Sequence, residues 1–336
     1  MFYYCETLIN IPQHYTSSIK EYTYQGLFSG CTGLTNIHIE LPATVLKEGC
    51  YQYMFYGCTS LQTVNCQLAS TTRKACYMGM FKGCTSLITA PALTATVLTD
   101  SCYKEMFSGC TSLTGLSAPI TINTAAANCC YSMFYNCTSL LSENTSITIN
   151  ATTAPNHCYR SMFNGCTSLT TTPIASLPST NVNYYSYSYM FQNCTSMTTA
   201  PTFTINSIGN TYACQYMFKN CYELLSVDCH LNATTLTAYC YRGMFSYCRK
   251  LTVAPELPAL TLTSMSYSNM FEYTNVTSIK AAFTTTPSSS VSNEWLKDVP
   301  NESSRTFYKN VNATWTTRGI QSVTTNWTIV LYDPNE

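Results

Sequence analysis

Apolar positions recur along this chain in a unit of 26 to 29 residues, and a phenylalanine stands at the centre of each unit. A Cys follows that phenylalanine by three residues in ten of the eleven units, and a Met precedes it in ten. The series is Phe2, Phe28, Phe55, Phe81, Phe107, Phe134, Phe163, Phe191, Phe218, Phe245 and Phe271. A period of this length, sustained over most of the chain, indicates stacked supersecondary units rather than a globular enzyme domain.

The residues around each phenylalanine have a short amphipathic pattern. In the segment from Cys76 to Cys84, five side chains (Cys76, Tyr77, Met80, Phe81 and Cys84) lie at offsets 0, 1, 4, 5 and 8. At ~100° per residue these offsets fall within an arc of about 140°, which predicts a short helical turn with its apolar face inward. Gly83 stands where such a turn would end in left-handed backbone, and Asn takes this place in other units.

A short extended stretch follows each turn and ends at a proline in several units, as in Leu87 to Pro91 and Leu169 to Pro173. Proline lacks an amide hydrogen, so strands of only about three or four residues are predicted. Strands from successive units would pair in parallel at ~4.8 Å, which gives a rod of roughly 50 Å. The pattern therefore predicts an α/β repeat solenoid of short parallel strands and short helical turns over residues 1–280.

The unit resembles the BspA-like leucine-rich repeat. In that repeat an aromatic residue three before a Cys is followed by a Leu, an extended stretch, a Pro and a second apolar turn. The stretches Phe55 to Leu61 and Phe107 to Leu113 carry this motif, and Met replaces the small residue usual before the aromatic. The repeat occurs in surface proteins and phage-encoded proteins of gut Bacteroidales, so the resemblance implies a leucine-rich-repeat solenoid with an extracellular binding or adhesion role.

The composition changes after residue 274. All three tryptophans lie in this last part, and no cysteine does. It resembles the tail that follows such repeats in proteins of gut Bacteroidales and their phages. An open solenoid end exposes unpaired backbone and apolar core, so residues 281–336 are predicted to form a small C-terminal cap, with strands at Phe307 to Lys309 and Trp327 to Leu331.

Charge is sparse and balanced. Asp, Glu, Lys and Arg make up 10% of the residues, against about 25% in typical soluble proteins, and Lys plus Arg equals Asp plus Glu at 16 each. The pairs Arg73-Lys74 and Arg249-Lys250 do not build a basic stripe, so a nucleic-acid partner is not expected. No apolar run reaches the ~18 residues that membrane insertion needs. A surface of Thr, Ser, Asn and Tyr is typical of proteins outside the cytosol, so an extracellular, cell-surface or virion location is expected.

The twenty cysteines follow the repeat. Ten lie three residues after the phenylalanine, and most of the others lie four or five before it. Cysteines at the same offset in successive units would form a column whose side chains all point the same way into the stack. This arrangement favours buried, reduced thiols over the alternative of a disulfide framework. Cys66 and Cys229 share a third column but lie six units apart, roughly 29 Å, too far to bond to each other.

Metal binding and catalysis lack a supporting pattern. The cysteine pairs are eight residues apart and the histidines, His14, His38, His157 and His230, are scattered, so neither a structural metal nor another cofactor is expected. Glu105, Glu223 and Asp228 occupy different places in the unit, and Cys158 beside His157 belongs to a structural column. The chain is therefore predicted not to be an enzyme.

A cluster of tyrosines is the candidate binding surface: Tyr184, Tyr185, Tyr187 and Tyr189. Exposed tyrosine offers rigid, amphipathic contact area, so the expected partner is a protein or a surface glycan. The alternative is a structural subunit of a virion fibre, a virion decoration or an extracellular filament. In that case the chain, which opens within a unit, would self-associate or dock through an uncapped N-terminal repeat.

Overall fold

A computed structural model of the protein describes residues 2–12, 15–16, 18–41, 45–319 and 322–335. Each sequence unit forms one coil of a β-solenoid, and short strands of successive coils lie side by side. The strands are β1 (Asn36–Ile39), β2 (Thr63–Cys66), β3 (Thr89–Ala90), β4 (Gly115–Leu116), β5 (Ile120–Ile122), β6 (Ile147–Ile149), β7 (Thr153–Ala154), β8 (Ser176–Leu177), β9 (Asn181–Val182), β10 (Thr202–Thr204), β11 (Ser207–Ile208), β12 (Cys229–His230), β13 (Ser278–Ala281), β14 (Thr306–Asn310) and β15 (Thr328–Tyr332).

All the strand pairs in the described part of the chain are parallel. The sheets have the orders β1-β2, β3-β4, β5-β6, β8-β10-β12, β7-β9-β11 and β13-β14-β15. The register places like residues opposite each other, as where Ile120 pairs with Ile147 and Ile122 with Ile149. The prediction of short parallel strands in a repeat solenoid is confirmed.

The prediction of short helical turns is wrong. The segment from six residues before each phenylalanine to three after it is a chain of overlapping β-turns, which we call the turn ribbon of its coil. In the ribbon around Phe55 every fourth residue has positive φ: Gly49 (58°), Tyr53 (55°) and Gly57 (70°). The helical structure within the described residues is one 3₁₀ turn, Ser142–Asn144, which lies outside the ribbons.

Hydrogen bonding explains why the ribbon replaces a helix. Alternate amides bond within the ribbon, as Met54 N–H donates to Tyr51 O at 3.2 Å, whereas the amides between them donate to the next coil, as Phe55 N–H does to Met80 O at 2.9 Å. An α-helix would use all these amides internally and leave none to join the coils. The inter-coil bonds offset the cost of left-handed backbone, roughly 1–2 kcal/mol for a non-glycine residue.

The core consists of columns of identical side chains. The phenylalanines stack coil on coil with ring centroids 5.4–5.8 Å apart. A tyrosine column runs beside them, with Tyr51 and Tyr77 at 5.8 Å. Cys130 and Cys214 take the tyrosine place in their coils, and both are fully buried. The core is therefore continuous along the axis, as stacked repeats require.

The C-terminal segment extends the parallel stack. β13 pairs with β14, and β14 with β15. Phe271 N–H donates to Trp295 O at 2.9 Å, so the buried Trp295 stands where the next coil would carry its phenylalanine. The strands predicted at Phe307 and Trp327 are confirmed. The division at residue 280 stays a prediction, since the backbone pairing runs across it.

Candidate interaction surface

The cysteine columns are structural. All twenty cysteines are free thiols, and most are fully buried. In nine coils the thiol after the phenylalanine donates to the phenylalanine carbonyl of the preceding coil, as Cys84 Sγ does to Phe55 O at 3.1 Å. Burial raises the pKa of Cys84 well above its usual value. These thiols are held as neutral donors in the core, and this arrangement favours the reduced ladder over a disulfide framework.

The polar residues considered for chemistry are separated in the structure. Glu105 forms an ion pair with Lys82 at 2.8 Å, and Glu223 forms one with Lys250. Within the described ranges no three His, Cys, Asp or Glu side chains converge on a point that could hold a metal ion. His38 and His230 are exposed on β1 and β12, and His14 lies outside the described residues.

A row of stacked rings crosses four coils on the outside of the turn ribbons. His157, Tyr185, Tyr212 and Tyr239 each stand six residues before their phenylalanine, in left-handed backbone. Their ring centroids are 5.2, 4.8 and 4.8 Å apart along the row, and neighbouring planes are within 15° of parallel. Tyr184 packs edge-on against Tyr185 at 4.5 Å. The equal offset in each ribbon is what aligns these rings.

Cations lie against this row. Arg160 Cζ is 4.4 Å from the centre of the Tyr185 ring and 5.5 Å from that of Tyr189. Arg242 Cζ is 5.7 Å from the Tyr239 ring centre and 5.5 Å from that of Tyr216. Lys219 Nζ lies 4.7 Å from the same Tyr216 ring centre. We call the surface formed by these rings and cations the aromatic strip; its members are His157, Arg160, Tyr184, Tyr185, Tyr189, Tyr212, Tyr216, Lys219, Tyr239 and Arg242.

The aromatic strip is electropositive. Five consecutive turn ribbons, from Asn128 to Cys248, contain no Asp or Glu. Arg160, Lys219 and Arg242 form no ion pair with a carboxylate in the part of the chain that the structure describes. Burial, together with the charges of Arg160 and Lys104, lowers the pKa of His157. An anion on this surface would meet cations that have no ion-pair partner, except at the end near Tyr216, where burial and the nearby Glu272 carboxylate raise the pKa of that tyrosine.

The Tyr185 hydroxyl of the strip remains protonated at neutral pH. Burial, with the neighbouring Tyr184 and Tyr212, raises the pKa of Tyr185 to about 12. Each ring of the strip is half-buried, so it presents part of its edge to solvent while its neighbours hold it in place. The surface is therefore rigid and carries hydrogen-bond donors.

The structure places the four predicted tyrosines in two environments. Tyr184, Tyr185 and Tyr189 belong to the aromatic strip. Tyr187 does not: it has 0% exposure and stacks on Tyr159 at 6.0 Å in the core column, so including it in a binding surface is corrected. That column can be read from the sequence, because Tyr187 stands four residues before its phenylalanine, like the other core tyrosines.

Sequence reasoning missed most of the strip: His157, Arg160, Tyr212, Tyr216, Lys219, Tyr239 and Arg242. A signal for the row of rings was present, since His157, Tyr212 and Tyr239 share with Tyr185 the offset of six before the phenylalanine. Looking for clusters along the chain found only adjacent tyrosines. Comparing equal offsets in successive units would have found the row.

Two other surfaces differ from the strip. The outward positions of β1 and β2 carry mainly Asn and Thr, and they alternate with buried positions in β1 and half-buried ones in β2. Near the first coils, a cavity of about 460 Å³ is lined by Tyr3, Tyr53, Tyr56 and Lys82, among others, but Lys82 is neutralised by its ion pair with Glu105. Unpaired cations and aligned rings occur together on the strip.

No helix in the described ranges is both long and apolar enough to cross a bilayer.

Comparison with protein families gives an extensive match. A family model described as "BspA type Leucine rich repeat region (6 copies)" matches residues 1–141, 102–252 and 158–300. No curated protein matches the chain.

Solved structures are similar at low identity. A leucine rich cell surface protein from Faecalibacterium prausnitzii A2-165 is 15% identical, with a TM-score of 0.35, and the match covers 96% of this chain and 87% of that one. A leucine-rich repeat protein from Bacteroides ovatus ATCC 8483 is 13% identical, with a TM-score of 0.37, and the match covers 97% and 83%.

Proposed function

The chain belongs to the BspA-type leucine-rich-repeat family, and from that premise we propose that it is an extracellular binding and adhesion protein without enzymatic activity. Its partner would be a protein or a glycan at a surface. The sparse charge and the Thr-, Ser- and Tyr-rich composition support a location outside the cytosol.

The aromatic strip is the observation that carries this proposal. Binding costs less when contact side chains are already ordered, because little rotamer entropy is then lost. The stacked rings of Tyr185, Tyr212 and Tyr239 are ordered by one another, and such aromatic pairs contribute about 0.5–1.5 kcal/mol each. A rigid aromatic surface with unpaired cations has the composition of a binding site rather than of an inert wall.

The proposal that the chain has no enzymatic activity is supported by how the reactive groups are used. The thiols donate to core carbonyls, as Cys110 Sγ does to Phe81 O at 3.1 Å. Glu105 and Glu223 are held by lysines of neighbouring coils. Neither arrangement leaves a nucleophile beside a base. No contact in the described residues favours the alternative of a virion or filament subunit, so we do not propose it.

The proposal is tested by presenting the protein to arrays of glycans and of extracellular proteins. The double substitution Tyr184→Ser/Tyr185→Ser should weaken binding at least about tenfold, since it removes two rings from the strip. Tyr3→Ser/Tyr4→Ser is the matched control, because Tyr3 and Tyr4 are an adjacent, edge-packed pair with the same 4.5 Å ring separation outside the strip.

Circular dichroism should show that both variants keep the wild-type fold. If the strip variant binds every array component as the wild type does, the strip is not the contact surface and the proposal fails.

A further inference from the structure

We propose that the aromatic strip binds a linear anionic polysaccharide, carboxylated or sulfated, that lies along the solenoid axis. This inference rests on the proposed binding function and specifies the chemical class of the ligand.

The orientation of the rings disfavours a neutral sugar. Sugars that stack on aromatic residues need an open ring face, but Tyr185 is covered on one side by His157 and Arg160 and on the other by Tyr212. Tyr212 is likewise enclosed by Tyr185 and Tyr239. Solvent therefore meets ring edges, which are the positive part of the aromatic quadrupole. Edges, phenol hydroxyls and cations all favour an anion.

The cations follow the solenoid axis. Lys104, which lies outside the strip and two coils before Arg160, stands three residues before its phenylalanine, as do the strip members Arg160 and Arg242. They are separated by two and three coils, or roughly 10 and 14 Å at the spacing of adjacent strands. Positive charges spaced along one line suit acidic groups that recur along one polymer chain, and each contact would release counterions as it forms.

An acidic peptide fits this surface less well. Extended peptides commonly bind a solenoid or sheet through backbone hydrogen bonds. The ribbon amides are already used: His157 N–H donates to Tyr184 O at 2.9 Å, and Arg160 N–H to His157 O at 3.3 Å. Recognition must then come from side chains alone, which a polysaccharide can satisfy with its hydroxyl and acidic groups.

The experiment measures binding of the purified full chain to polygalacturonate, dextran sulfate, neutral dextran and poly-glutamate by biolayer interferometry. We expect binding to at least one of the two acidic polysaccharides, with affinity that falls as salt is raised, and no comparable binding to neutral dextran. Comparison of polygalacturonate with dextran sulfate distinguishes carboxylate from sulfate.

Charge substitutions locate the site. Arg160→Gln/Arg242→Gln should weaken polysaccharide binding at least about tenfold. Lys74→Gln/Lys250→Gln removes the same net charge from exposed lysines outside the strip and should change binding less than about twofold, because both lysines are already paired with glutamates.

Three outcomes would overturn the inference: no binding to either acidic polysaccharide, tighter binding to poly-glutamate or neutral dextran, or equal loss in both charge variants. The proposed function has a separate readout. If Tyr184→Ser/Tyr185→Ser abolishes binding to some other array component, the binding function stands and only the ligand class is wrong.

Discussion

The thiol three residues after each phenylalanine has a specific bonding role. Phe81 O accepts the amide of Cys84 in its own coil at 3.1 Å and the thiol of Cys110 in the next coil, also at 3.1 Å. Cysteine is small and apolar enough for the core, yet it still offers a weak donor. The column therefore joins successive coils without cross-linking them.

Burial should protect these thiols from alkylation. The thiolate is the species that attacks iodoacetamide, and burial raises the pKa of Cys84, Cys110 and Cys166 well above the usual value, which suppresses their thiolate forms. We expect modification under native conditions at the half-buried Cys5, much slower modification at Cys66, where burial raises the pKa to about 12, and modification of all twenty cysteines in denaturant. Mass spectrometry of the intact chain counts the adducts. Incomplete labelling of the unfolded chain before reduction would show disulfides and contradict the free-thiol ladder.

His157 should make stability depend on pH. Its pKa is lowered by burial and by Arg160 and Lys104, and Arg160 Nη1 lies 3.3 Å from His157 Nδ1 among the rings of Tyr131 and Tyr185. The unfolded chain therefore binds a proton at higher pH than the folded one. Stability is complete above the ordinary histidine pKa of about 6.5 and falls as the pH drops towards the folded-state value.

The substitution His157→Asn tests this dependence, since Asn tolerates left-handed backbone. Urea unfolding between pH 7.5 and 5 should show a smaller loss of stability in the variant than in the wild type. Equal losses in the two proteins would mean that other groups cause the pH dependence.

The turn ribbon depends on pairing tyrosine with glycine in neighbouring coils. Three tyrosine rings each lie over the glycine that has the same offset from the phenylalanine in the next coil: Tyr22 over Gly49, Tyr53 over Gly79 and Tyr216 over Gly243. A Cβ added to any of these glycines would stand 2.1 to 2.3 Å from a ring atom. Left-handed backbone alone does not require glycine in this fold, since Tyr53 itself has a φ of 55°. At these places glycine supplies room for the ring.

The substitutions Gly79→Ala and Gly57→Ala separate these two effects. Both glycines have positive φ, but an added Cβ at Gly79 would meet the Tyr53 ring at 2.1 Å, whereas nothing lies within 4 Å at Gly57. Gly57→Ala should cost only the backbone strain, about 1 kcal/mol, and Gly79→Ala clearly more.

A double-mutant cycle identifies the cause. Adding Tyr53→Ser to Gly79→Ala should recover part of the lost unfolding free energy in urea titrations, because the clash is gone. If the two alanine variants are equally stable, the ring does not determine the choice of glycine.

In the solenoid as a whole, the stability of each coil depends on its nearest neighbours along the axis. Each coil contacts mainly the coils on either side, so the free energy of folding is close to a sum over coils and interfaces. The electrostatic pattern is also extended: the five ribbons from Asn128 to Cys248 contain no Asp or Glu, and they carry Arg160, Lys219 and Arg242. Both properties follow from repetition, and neither depends on a single cleft.

Removing one central ring should loosen the stack nearby. Phe163 is fully buried between Phe134 at 5.5 Å and Phe191 at 5.4 Å, so Phe163→Ala should cost about 3–5 kcal/mol. Hydrogen exchange should accelerate most in these three coils and least near Phe55. Phe163→Leu, which keeps most of the volume, should have a smaller effect. Uniform acceleration along the chain would show that the solenoid opens as one unit.

The spacing of Phe and Cys in the sequence was enough to predict stacked coils, parallel strands and thiol columns, because a side chain at a constant offset must meet its equivalent in the next coil.

Two features could be determined only from the tertiary structure. Offsets 0, 1, 4, 5 and 8 suit both an α-helix and a run of four-residue turns, since they stay on one face at either period, within about 140° at 3.6 residues per turn and about 90° at 4. Amides donated to a coil 26 residues away, such as Tyr53 N–H to Met78 O at 2.9 Å, favour the turns. Likewise, Tyr185 and Tyr187 are close in sequence, but only stacking against other coils places one in the aromatic strip and the other in the core. Both features are determined by contacts between residues that are distant in the sequence, and a local sequence pattern contains no information about those contacts.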